Sequence, residues 1–336
     1  MKRLATGKPH FFTTPNRLLL LATCLMLGLG SCQSESNKTQ FSPKGREVPR
    51  FSKDTAYHFI ERQVSFGPRN PGSEGHQKAL NFLYDKLSSY AGSRFAYRQS
   101  FTHRGYNGDT LQLTNVIASF NPEAADRILL CAHWDTRPRA DHADKNKDQP
   151  ILGANDGGSG VGVLLELARL FKQKEPPVGV DIVLFDGEDY GKTGDQQHYF
   201  LGSRYWANHP PVKDYHPRFG ILVDIVGGEN AQFLQEQISL AYAPGLVNEV
   251  WAIAHQKDYQ SIFPDREGAQ ISDDHVIINR ILNIPTINII DHRVRPDGGV
   301  KFPEYWHTHR DRMEIIDRNT LHAVGTVLTE LIYNRL

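Results

Sequence analysis

Apolar runs that stop at an acid or a histidine constrain this chain more than anything else in it. Residues 127–132, 180–185, 221–226 and 284–290 read as strands buried on both faces. Between them, residues 159–171, 203–208, 247–257 and 318–333 carry helical apolar spacing. Strands alternating with helices predict an α/β fold: a single domain with a mostly parallel central sheet and helices on both faces. Clefts in such sheets form at the carboxyl ends of the strands. His133-Trp134-Asp135, Gly153-Ala154-Asn155-Asp156, Asp186-Gly187-Glu188-Asp189, Asp224 and Trp306-His307-Thr308 all fall there. Carboxylates with two histidines, His133 and His307, suit zinc, which accepts imidazole nitrogen and carboxylate oxygen and keeps a position open in catalytic sites.

The first residues belong to a different regime. Lys2, Arg3, Lys8 and Arg17 precede the apolar stretch 18–29, which is too short to span a bilayer and ends at Leu29-Gly30-Ser31-Cys32. This predicts a signal segment over 1–32, and Leu-Gly-Ser-Cys resembles a bacterial lipobox, with Cys32 carrying the lipid. Residues 33–50 read as a polar tether, and 51–336 as the catalytic domain. The expected location is the periplasm-facing envelope of a Gram-negative-type bacterium, held by the lipid on Cys32. Of three cysteines only Cys131 would remain free, so no intramolecular disulfide is expected in the mature chain. Basic and acidic residues balance at 38 each with no long basic run, which argues against a nucleic-acid partner. A monomer is expected.

Each cluster has a plainer alternative. His133 and Asp135 lie two apart on an extended chain and share a side, so the carboxylate can ligate or orient the imidazole. Asp156 sits in Gly153-Ala154-Asn155-Asp156-Gly157-Gly158-Ser159-Gly160 before a helix, where capping is a common job for Asp. A phosphate loop fits poorly, because the Gly-Lys-Ser/Thr ending is absent and an acid would repel phosphate. Glu188 and Asp189 can divide labour between proton transfer and metal binding. Asp224 interrupts an aliphatic run, a costly place for a charge without a partner. His275 and His292 read as bystanders, and His309 as the positional rival of His307. The long polar stretches 137–149, 190–199 and 292–305 are expected to serve the site.

Taken in order, His-x-Asp, Gly-Ala-x-Asp, Asp-Gly-Glu-Asp, a strand Asp and a late histidine resemble the zinc aminopeptidase superfamily. Leu184-Phe185-Asp186-Gly187-Glu188-Asp189, Gly202-Ser203-Arg204, Asp273-Asp274-His275 and Trp306-His307-Thr308 narrow the resemblance to animal-type glutaminyl cyclases, over residues 54–336. That resemblance implies one Zn2+ per chain on Asp156, Asp189 and His307, with Glu188 as general acid/base. It places Asp224 and Asp273 in the acidic network around Glu188, and Trp306 as a wall of the substrate pocket. The family usually has Glu at the position of Asp189, and Asn288 stands where the animal enzymes have a histidine. The implied partners are peptides or proteins with N-terminal glutamine, cyclised to pyroglutamate with release of ammonia. The alternative on the same scaffold is a two-zinc aminopeptidase, with His133 and Asp224 completing the second site.

Overall fold

The computed structural model describes residues 41–297 and 299–336. The signal segment and Cys32 therefore lie outside the described residues. No helix among the described residues is long and apolar enough to cross a membrane. Residues 41–50, expected as tether, lie against the domain. Phe41 packs 6.0 Å from Phe219, and the Lys44 amide donates to the Asn334 carbonyl at 2.7 Å. Apolar Phe41 and Val48 supply the reason, since both are partly buried on the core.

Helices α1 (Lys53–Val64) and α2 (Glu74–Ala91) start at Ser52 and Ser73, whose side chains accept amide hydrogens of the first turn. Strands β1 (Ala96–Arg104), β2 (Thr110–Phe120) and β3 (Arg127–His133) follow, then α3 (Gly158–Gln173), β4 (Gly179–Phe185), α4 (Leu201–Asn208) and β5 (Gly220–Asp224). The chain continues through α5 (Gln237–Tyr242), α6 (Pro244–Gln256), α7 (Asp274–Leu282), β6 (Thr286–Ile290), a small hairpin of β7 (Arg293–Val294) and β8 (Val300–Lys301), and α8 (Arg318–Glu330).

The main sheet has six strands in the order β1-β2-β4-β3-β5-β6. Strands β4, β3, β5 and β6 are parallel, whereas β1 pairs antiparallel with β2 and β2 antiparallel with β4. The sheet is thus mostly parallel, as expected, and the antiparallel edge of β1 and β2 makes it mixed. A tight turn, in which the Gly105 amide donates to the Asp109 carbonyl, joins β1 to β2 and leaves no length for a crossover. Side chains alternate between two cores. Leu130, Ala132, Ile182, Leu184, Ile221 and Val223 face the layer containing α1, α2, α3, α6 and α8, while Leu129, Cys131, Val183, Phe185 and Leu222 meet α4 and α7. His133 and Asp224 share the parity of Cys131 and Leu222, which sends both toward the α4/α7 side at the strand ends. Cys131 is free and buried.

Two boundaries differ from the sequence expectation in ways that matter for the site. β5 stops at Asp224 instead of running to Val226, because Ile225 adopts φ +50°, a conformation that β-branched residues rarely take. α7 replaces what read only as an acidic motif. Asp274 through Asn279 are all buried, so the helix has no polar stripe over these residues to reveal its period.

Glu236 ties α5 to α7 and is fully buried. It accepts from the amides of Ile238, Ser239 and Ile271 and pairs with His275 Nε2 at 3.2 Å. Burial alone would raise its carboxyl, but His275 and the amides outweigh this and bring it from 4.5 to about 2. A carboxylate lowered on folding stabilises above its unfolded value and loses that contribution as pH falls through the folded one. Glu236→Gln is therefore expected to cost on the order of 3 kcal/mol at pH 7. The deficit should shrink between pH 4.5 and about 2. Denaturant titrations of both proteins at pH 7 and pH 3 check this, and a deficit independent of pH would sink it.

Candidate metal centre and active site

The strand ends and three loops bring the expected residues to one cleft of about 460 Å³. Asp156, Glu188, Asp189, Asp224, Asp273 and His307 line it together with Trp306. His133 lies just beneath, 1 % exposed, with Nε2 3.2 Å from Asp156 Oδ1 and 3.1 Å from Asp224 Oδ1.

Asp156 does not cap α3. The cap position is Gly157, with no side-chain hydrogen bond, and its φ of +80° would leave an added Cβ 2.7 Å from the Asp135 carbonyl. The turn is instead pinned from two sides. Asp311 accepts from the amides of Asn155 and Asp156 at 2.7 and 3.0 Å, and the buried Arg69 guanidinium donates to the carbonyls of Trp134, Leu152 and Gly153. Asp135 turns out to orient the backbone of the next cluster, accepting from the amides of Glu188 and Asp189 at 3.0 and 3.3 Å. Asp186 points away from the cleft, held by His76 Nε2 at 2.9 Å and the Thr114 amide at 2.6 Å.

Asp156 Oδ2 and Asp189 Oδ2 are buried and have no hydrogen-bond partner among the described residues. His307 Nε2 lies 3.6 Å from the first and 3.5 Å from the second. Burial, then Arg137 and His142, push the His307 imidazole well below its usual range, so it is neutral and offers a lone pair. Two orphaned carboxylate oxygens and a neutral imidazole nitrogen facing one point make a donor set that fits zinc. His133, Asp156 and Asp224 form a second possible group that shares Asp156 with the first. In that group His133 already hydrogen-bonds Asp224. His309 stays outside the cluster, on the Asn146 carbonyl. His275 pairs with Glu236, and His292 lines the cleft with its Nδ1 on the Ile290 carbonyl.

Glu188 approaches His133 Nδ1 at 3.9 Å and is barely exposed. Burial pushes its carboxyl well up; His133 offsets part of this, and Asp189, Asp273 and Asp274 add to it. A raised carboxyl is suited to proton transfer in both directions. Burial also raises Asp224 to about 7 despite His133. Asp273 caps α7, accepts from Asn288 Nδ2 at 2.7 Å, and has Asp274 behind it, to which Ser203 donates. Asn288 thus meets the acidic network directly.

The opposite wall is apolar. Ile225, Ile271, Ile290 and Phe302 line it, and the Trp306 ring stacks between Phe302 at 4.3 Å and His307 at 3.6 Å. The three long loops each contribute, through His142, through Thr193, Gln196 and Tyr199, and through Lys301 and Phe302. Sequence reasoning missed Arg69, Arg137, Asp141 and Asp311. Arg137 is fully buried, with Nη1 2.5 Å from Asp189 Oδ1. Its only sequence signal was a place two residues beyond Asp135.

The profile described as Peptidase family M28 matches residues 115–332, a span that contains every acid and histidine of this cleft. The chain belongs to peptidase family M28. Within reach of this M28 domain, a glutaminyl cyclase structure from Bacteroides thetaiotaomicron is 45% identical, with 85% of this chain and 99% of that one covered and a TM-score of 0.80. A structure from Parabacteroides distasonis named a Zn-dependent exopeptidase is 42% identical, covering 86% and 100%, with a TM-score of 0.82. The glutaminyl-peptide cyclotransferase of Bos taurus is 26% identical over 303 residues, 80% of this chain and 78% of its own.

Proposed function

We propose that this protein is a zinc-dependent glutaminyl-peptide cyclotransferase that converts N-terminal glutamine of peptides and proteins to pyroglutamate and releases ammonia. The observation that carries the reading is a raised Glu188 beside two orphaned carboxylate oxygens and His307, in a cleft whose other wall is apolar and closed by Trp306. The M28 fold and the glutaminyl cyclases named above support it.

One zinc, held by Asp156, Asp189 and His307, would supply a Lewis acid toward the γ-carboxamide carbonyl. The protein does the rest. Trp306, Ile225 and Ile271 hold the glutamine side chain against the apolar wall and keep water out. Glu188 takes a proton from the substrate α-amine, whose nitrogen attacks the side-chain carbonyl carbon in the same residue. The new C–N bond closes the ring, the old one to the amide nitrogen breaks, and Glu188 returns the proton so that ammonia leaves. Asp273, fixed by Asn288, and Asp224, fixed by His133, maintain the field that keeps Glu188 able to exchange protons.

A second reading has an observation of its own. His133, Asp156 and Asp224 could hold another metal, which would arm an aminopeptidase with an activated water. The hydrogen bond from His133 to Asp224, against the orphaned Asp189 Oδ2 that belongs to the first group alone, supports the single-zinc reading. Ammonia release from a Gln-initiated dipeptide amide, run beside cleavage of a Leu-chromophore, separates the two. Leu cleavage without cyclisation would overturn the cyclase reading.

We also propose that the protein is a lipoprotein of the periplasm-facing envelope anchored at Cys32, supported by the basic, apolar and Leu-Gly-Ser-Cys order of the first residues. Palmitate labelling that survives Cys32→Ser would refute the anchor.

A further inference from the structure

We propose that Arg137 and Asp141 form one brace that positions two zinc ligands at once and restricts Asp189 to ligation through a single oxygen. The brace rests on the zinc site of the proposed function and adds to it a role for residues that touch neither substrate nor metal.

Arg137 is fully buried, and its guanidinium is divided between two acids. Nη1 donates to Asp189 Oδ1 at 2.5 Å and to the Asp189 carbonyl at 3.3 Å. Nε and Nη2 make a fork on Asp141, at 2.8 Å to Oδ1 and 2.7 Å to Oδ2, and Nη2 also reaches the Tyr199 hydroxyl at 3.1 Å. Asp141 in turn places Oδ1 3.7 Å from His307 Nδ1, the ring nitrogen that faces away from the metal point. The next residue fastens the same ligand by its backbone, the His142 amide donating to the His307 carbonyl at 3.2 Å. A loop of six residues, 137–142, therefore grips both ligands that come from outside the Gly153–Asp156 turn.

The consequence for Asp189 is geometric. With Oδ1 occupied by Arg137, only Oδ2 is unpartnered, and it is the oxygen 3.5 Å from His307 Nε2. The shorter side chain at this position thus comes with a partner that fixes which oxygen it presents. The same contacts exclude a different use of this corner. Asp141, His142 and His307 are close enough to hold a cation, yet both oxygens of Asp141 are taken by Arg137. Asp141 Oδ1 faces the imidazole beyond hydrogen-bond distance, so the hold on His307 is the His142 amide on its carbonyl and the hold on Asp189 is Arg137. Losing outer contacts of this kind typically weakens metal affinity about 10–100-fold.

The test is zinc affinity of the full chain by chelator competition, a measurement that needs no substrate. Arg137→Gln and Asp141→Asn are each expected to weaken zinc by about 10–100-fold. The double variant should lose no more than the worse single one, because both break one unit. Arg137→Lys keeps the charge but cannot serve Asp189 and fork to Asp141 together, so it should fall between wild type and Arg137→Gln. Zinc-free melting of each variant separates a folding defect from a ligand defect, and if Arg137→Gln does not fold, Arg137→Lys against Asp141→Asn decides. Affinities within about threefold of wild type, or losses that multiply in the double variant, would overturn the brace. Wild-type protein that binds zinc but releases no ammonia would instead overturn the cyclase reading and leave the brace intact.

Discussion

Glu188→Gln is expected to cut kcat by about 10²–10⁴-fold while KM stays within a few-fold and zinc remains bound. Glutamine keeps the size and the polar end of the side chain but cannot carry a proton between the attacking amine and the departing amide nitrogen. None of the three groups close enough to hold a metal, Asp156, Asp189 and His307, or His133, Asp156 and Asp224, or Asp141, His142 and His307, includes Glu188, so metal content should not change. Folding gives an independent control. Burial makes ionised Glu188 unfavourable, with Asp189, Asp273 and Asp274 adding repulsion, so a neutral residue there should melt no lower than wild type. Stopped-assay kinetics, zinc by mass spectrometry and a thermal scan on one preparation test all three statements. Full turnover with zinc in place would remove Glu188 from the mechanism.

The ligands were readable because chemistry and strand pattern met at the same residues. The runs that became β3, β4 and β5 are apolar on both faces, so His133, the Glu188-Asp189 pair and Asp224 stood out as polar groups at their ends. Strand direction was not readable in the same way. β1 and β2 show the composition of strands, but pairing is decided by the tight turn around Gly105 and Asp109 and by partners distant in sequence. α7 was hidden for a related reason, since a helix buried over most of its surface loses the polar stripe that marks its period. The support around the ligands was the least legible part. Arg69, Arg137, Asp141 and Asp311 are ordinary charged residues in polar stretches, and only tertiary folding places Arg69, Arg137 and Asp311 in the interior. A buried arginine is tolerable there because carbonyls or carboxylates meet its donors, which no local pattern announces.

His307→Ala should abolish catalysis and weaken zinc by more than about 100-fold, a larger loss than for supporting residues. Without the imidazole, Asp156 Oδ2 and Asp189 Oδ2 remain as two buried oxygens with no nitrogen opposite them. Carboxylates alone favour harder cations than zinc. Wild-type protein should gain thermal stability on adding zinc, because a ligand that binds only the folded state stabilises it, and the His307→Ala protein should not. His133→Ala provides the contrast. It removes the partner of Asp224 and should slow turnover, yet one zinc per chain should remain, because Asp156, Asp189 and His307 are untouched. A two-metal peptidase predicts another pattern: two zinc ions in wild type, one in His133→Ala, and loss of Leu release with the second ion. Zinc counted in these three proteins therefore tests the ligand set and the reaction class together, since only a cyclase with a single site keeps its metal when His133 is lost and forfeits it when His307 is.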